Sequence, residues 1–204
     1  MTNGAKPPAG QDAAEVLPSR WTAATVYPDM WVDPDDDPRE TDVEPVDERS
    51  TLVEFLRGYR LTLEMKCAGL SPEQLARRPV QPSTMSLLGL FRHMAEVERS
   101  WFQRIMAGQD VPKLYCTDED RDGDWNGALP DRSTVDEAWR AWRAEVGFAD
   151  HFVSQAADLD VKALHVGAEG TSLRWVLIHL IEEYARHCGH ADLLRERIDG
   201  RVGQ

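Results

Sequence analysis

The chain has 204 residues and few cysteines. The three present, Cys67, Cys116 and Cys188, are widely spaced, with no CxxC pair. That excludes a disulfide framework and a zinc ribbon, and it fits a reducing compartment, so a cytoplasmic protein is expected. Long apolar runs are missing as well. The most apolar stretch, Trp175 to Ile181, is broken by His179, far short of the roughly 20 residues that span a bilayer. The first twenty residues lack the apolar segment of a secretory leader. Positive charge is in deficit: 23 Lys and Arg face 36 Asp and Glu, a net charge of −13. Nucleic acid and anionic membranes attract the opposite sign, so neither is expected as a partner. No P-loop, GxGxxG, HExxH or GxSxG occurs. The acidic run from Asp118 has Asp118, Asp120, Asp122 and Gly123 at calcium-loop spacing, but Leu129 stands where the loop needs Glu.

What is present is unevenly spread. Residues 1–48 hold twelve acidic and three basic residues, and seven of the 12 prolines precede residue 46. Such a segment resists helix and strand, so residues 1–46 are expected to form an acidic, partly extended arm. Its aromatics Trp21, Tyr27 and Trp31 suggest that 20–32 lies along the surface of a globular domain spanning 47–204.

Four amphipathic helical patterns follow. The first covers about 48–69, with Leu52, Phe55, Leu56, Tyr59, Leu63 and Cys67 on one face. Ser71-Pro72 then opens a short helical turn. The second begins after Pro82, capped by Ser83 or Thr84, and runs to Gly108 with Leu87, Leu90, Met94, Val97, Trp101 and Ile105 as its seam. Residues 109–132 read as loop. The third helix starts near Ser133 and carries Val135, Trp139, Trp142, Val146, Ala149 and Phe152; the polar stretch 158–170 follows it. The fourth starts near Thr171 or Ser172 and ends at about Asp199. Its seam is Leu173, Leu177, Leu180, Tyr184, His187, Ala191, Leu194 and Ile198. Four such helices predict an all-α, four-helix-bundle fold. Trp101, Trp139, Trp142 and Trp175 are expected in the core, with one or two lining a pocket.

His187 breaks this pattern, because it stands where the seam calls for an apolar side chain. Glu183 lies four residues earlier, so the two point the same way. On the second helix, His93 sits between Leu90 and Val97 and can turn inward. Each residue alone has an ordinary reading: a hydrogen-bonded core histidine, a solvated glutamate. Together they supply two His and one Glu from two facing helices, the donor set of a metal site with a position left for water or substrate. Both readings stay open on spacing alone, and other divalent ions accept the same donors as zinc. His190 is a competing ligand or an outer partner. His179 is an outer partner or packs beside Trp175. His151 and His165 read as surface residues, and Cys188 as a small core residue.

The stretch TLVEFLRGYRLTLEMKCAGLSPEQLARRPVQPSTMSLLGLFRHMAEVERSWF and the closing SLRWVLIHLIEEYARHCGHADLLRERIDG resemble the DinB-like superfamily. The similarity covers roughly 47–200 and points to the actinobacterial branch of mycothiol-dependent maleylpyruvate isomerases and mycothiol S-transferases. It implies a DinB-like bundle holding a divalent metal through His93, Glu183 and His187, with zinc as first choice and nickel or another ion as alternatives. The Glu-then-His order matches the isomerase-like members. Many members end in HHRGQ; here the motif is RHCGH, so Arg186 and His190 replace a His and a Gln. The resemblance further implies a small-molecule thiol such as mycothiol as cosubstrate and an electrophile as substrate, with His190, Tyr184 or Arg186 orienting substrate or moving protons. It also allows a homodimer. The alternatives are a metal-dependent hydrolase and a non-catalytic metal- or ligand-binding stress-response protein.

Overall fold

The computed structural model describes residues 31–41 and 44–203; Trp21 and Tyr27 lie outside them. Among the described residues six α-helices carry the fold: α1 (Glu48–Cys67), α2 (Pro72–Ala76), α3 (Leu87–Glu98), α4 (Gly123–Asn126), α5 (Arg132–Gln155) and α6 (Leu173–Asp199). A π-helical segment, Arg99–Met106, prolongs α3. Among the described residues there is no strand, only an isolated antiparallel bridge between Lys162 and Ser172. The protein is all-α, as its periodicities predict.

Local chemistry sets the helix ends. Asp47 and Ser50 form a reciprocal capping box for α1, as do Ser71 and Gln74 for α2, whose first residue is Pro72. α3 starts later than predicted. Ser83 Oγ accepts from the nearby Met85 N–H at 3.2 Å in a tight turn, and Ser86 is the cap, accepting from Gly89 N–H at 3.0 Å. α5 starts slightly earlier than predicted because Asp131 caps it, accepting from Thr134 N–H at 2.9 Å. Ser172 caps α6, and Gly200 ends it in the left-handed region at φ 80°.

All eight predicted seam positions of α6 are buried. α1 is rotated from its predicted face: Phe55 is 58% exposed, while Leu56, Arg60, Leu63 and Cys67 are buried. The steps 4, 3 and 4 are helical, but the charged Arg60 hides that stripe from a search for apolar residues alone. α6 packs on α1 and α3, and α3 packs on α5.

Trp31 ties the described part of the arm to the C-terminal end of α6. It is buried, with Lys66 Nζ and Arg201 Cζ each 3.9 Å from its ring centroid. Arg201 Nη2 also donates to the Trp31 carbonyl at 2.7 Å. Cation–π contacts stabilise by roughly 0.5–1 kcal/mol when exposed and by about 2 kcal/mol or more when desolvated.

Candidate metal centre

α3 packs across α6, and this brings His93 to Glu183 and His187. Each of the three offers a ligand atom, and these atoms all lie within 4.8 Å of one another. The His93 and His187 ring centroids are 4.9 Å apart at an interplanar angle of 67°. His187 Nε2 and Glu183 Oε2, one turn apart on α6, are separated by 3.4 Å, longer than a good hydrogen bond.

Burial is the largest influence on His187, and the neighbouring His93, His190 and Arg186 reinforce it, so its pKa is pushed down to about 4. The imidazole is therefore neutral at physiological pH, the form that binds a metal. His190 lies beside His187, its Nδ1 3.3 Å from His187 Nδ1, and outside the group of three. His179 reaches the other side of the carboxylate, with Nε2 3.5 Å from Glu183 Oε1. The His179 ring stacks on Trp175 at 5.0 Å and meets Trp101 edge-on at 4.7 Å. Trp175 is thus not a core residue as predicted; it is 49% exposed and flanks the centre. Trp142 is buried, and Trp101 and Trp139 are partly buried against the core.

Tyr184 is placed differently from the expectation of a substrate-facing residue. It is fully buried. Its hydroxyl donates to Glu98 Oε1 at 2.8 Å and accepts from Trp142 Nε1 at 2.8 Å. Arg186 is exposed and pairs with Glu182 at 2.7 Å. Cys188 is buried, its thiol pushed up to about 12 mainly by desolvation. His151 and His165 are exposed.

The residue that sequence reasoning missed is Asp124. The segment 109–132, predicted as loop, contains α4 and delivers this carboxylate to His93: Asp124 Oδ2 lies 2.7 Å from His93 Nδ1. The segment is fastened to α3 by residues flanking His93. Arg92 donates to the carbonyls of Asp124 and Gly123 at 2.9 and 3.0 Å, and its guanidinium lies 3.7 Å over the Tyr115 ring. Glu96 Oε2 accepts from Tyr115 N–H at 2.8 Å. Glycines allow two close approaches, one within the segment and one between the segment and α3. A Cβ on Gly123 would fall 2.3 Å from the Tyr115 carbonyl oxygen, and one on Gly89 would fall 2.8 Å from the Trp125 ring. Trp125 stacks on His93, with centroids 5.1 Å apart. The sequence signal was faint: an acidic residue and a tryptophan between glycines, with no periodicity linking them to α3.

A family model of mycothiol S-transferases matches residues 51–200. The chain belongs to the mycothiol S-transferase family. That match runs from the first turn of α1 past the end of α6 and includes all three residues of the His/Glu group. No curated protein matches the chain. Among the described residues, no helix is long and apolar enough to cross a membrane.

Proposed function

We propose that this protein is a metal-dependent enzyme that transfers a low-molecular-weight thiol of the mycothiol type onto an electrophile, in a reducing cytoplasm. One observation carries the reading: His93, Glu183 and His187, drawn from two helices, present their donors within 4.8 Å of one another in a chain of this family.

The residues fit a divalent ion. His93 has Nδ1 engaged by Asp124, which leaves Nε2 for coordination. His187 is held neutral. Glu183 supplies an anionic oxygen, and three protein ligands leave room for a fourth partner. Two nitrogens and one carboxylate suit zinc first, with nickel and other divalent ions accepting the same set. A divalent cation there would lower the pKa of a thiol at the open position and favour the thiolate.

The chain's own side chains do the remaining work. His190, half-buried beside His187, is the group at hand to take up the thiol proton. Trp125 and the Trp101–Trp175–His179 cluster border the centre and restrict water around it. In the net transfer the thiol S–H bond breaks, sulfur bonds to the electrophilic carbon, and the leaving group departs with its bonding pair.

The experiment is thiol consumption by purified protein with mycothiol and a panel of alkylating electrophiles, before and after chelation. The expected result is mycothiol-dependent turnover that a chelator removes and added zinc or nickel restores. Turnover that is insensitive to chelation would overturn the metal part of the reading. Absence of turnover with any thiol would overturn the transferase part.

A further inference from the structure

We infer that Asp124 is a positioning residue: its carboxylate sets the tautomer and the orientation of His93, so that Nε2 is presented to Glu183 and His187. The inference rests on the metal reading above. Asp124 is 3% exposed, and its Oδ2 stands 2.7 Å from His93 Nδ1. An ionised carboxylate only accepts hydrogen bonds. The ring nitrogen facing it therefore carries the proton, and the lone pair is left on Nε2.

The carboxylate is itself held from turning. Its other oxygen, Oδ1, accepts from Trp125 N–H at 2.9 Å, while Arg92 grips the carbonyl of the same residue at 2.9 Å. The Trp125 ring lies against the imidazole at 26° to its plane. His93 is thus oriented by a hydrogen bond at one edge and a packed face on one side. Both come from α4, and α4 is anchored to the helix that carries His93. Neighbours that orient metal-binding histidines in this way change metal affinity by 10–100-fold when removed.

The test uses 15N-labelled full-length protein. Two-bond 1H–15N correlations of the metal-free chain read the ring tautomer of each histidine, with the His93 signals identified by their loss in His93→Ala. Cobalt(II) titration then gives metal affinity. The native chain is expected to show the Nδ1–H form of His93. Asp124→Ala should shift that ring toward Nε2–H and weaken cobalt binding by about 10–100-fold. Asp124→Asn keeps an acceptor oxygen and should recover part of both, a rescue that a merely structural role would not produce. Native His93 in the Nε2–H form would overturn the inference, and that measurement needs no variant to fold. Unchanged tautomer and unchanged affinity in Asp124→Ala would also overturn it. If the native chain bound no cobalt while Asp124→Ala still shifted the tautomer, the metal reading would fail and the orienting role of Asp124 would stand.

Discussion

α3 and α6 each contribute to two polar clusters, one buried and one partly buried, and the clusters end in opposite conditions. In one, Glu98 of α3 and Tyr184 of α6 are fully partnered. Arg60 Nε and Nη2 reach the two Glu98 oxygens at 2.7 and 2.8 Å, the Tyr184 hydroxyl adds a third bond, and Trp142 closes the chain. In the other, His93 of α3 meets Glu183 and His187 of α6 with ligand atoms gathered inside 4.8 Å, while the closest intrahelical pair, His187 and Glu183, stays 3.4 Å apart. Side chains of similar polarity on the same two helices thus serve different ends. A cluster whose donors and acceptors satisfy one another specifies packing. A cluster whose lone pairs converge without satisfying one another is what the proposed metal reading requires.

Substitutions should separate the two clusters. The largest effect is expected for Glu98→Ala, which leaves buried Arg60 with only its partner Asp150; removing one partner of a buried pair lowers stability by about 3–5 kcal/mol. Urea denaturation should show that loss, while the metal affinity of the folded fraction stays near native. His187→Ala should do the reverse, lowering metal affinity by about 100-fold or more, with little effect on metal-free stability beyond that of one trimmed side chain.

The pH dependence of the metal-free chain follows from His187. Its pKa is depressed to about 4 in the folded state, against about 6.5 when unfolded. Between those values the unfolded chain binds more protons. Stability is therefore full above pH 6.5 and is lost as pH falls toward 4, by about 3 kcal/mol at most. Thermal midpoints measured across that window should fall in the native chain and fall less in His187→Gln. Tyr184→Phe should lower stability by about 1–3 kcal/mol, because Trp142 and Glu98 each lose a buried partner, and should leave turnover and metal affinity unchanged. A drop in turnover at native stability would instead restore Tyr184 to the reacting centre. His151→Ala, at an exposed site, should change neither property by more than about 0.5 kcal/mol.

Sequence pattern reached the helices that carry the candidate ligands more easily than the segment that packs beside them. The α6 seam was legible position by position, because a 27-residue helix with a 4, 3 repeat constrains its own buried face. His187 stood out because it interrupts that repeat, and Glu183 followed from the helical turn. His93 needed the facing helix: its place on the flank of the α3 seam grouped it with the other two as a candidate donor set, and resemblance to the family implied the same three residues. Asp124 was illegible, because its role depends on how 109–132 folds back onto α3, and no periodicity records that. Tyr184 was misplaced for the opposite reason. It adjoins Glu183 in sequence, yet successive helical residues point about 100° apart, and its hydroxyl enters the Glu98 network. Arg60 was overlooked because a charged residue inside an apolar stripe is invisible until its partner is known.

The sharpest check is metal content per chain, measured by mass spectrometry on native protein loaded with zinc and desalted, beside His93→Ala, Glu183→Ala, His187→Ala and Tyr184→Phe. One ion per chain is expected in the native protein and in Tyr184→Phe, with loss in each of the other three. Equal metal content in all five, or none in the native protein, would contradict the assignment of this centre.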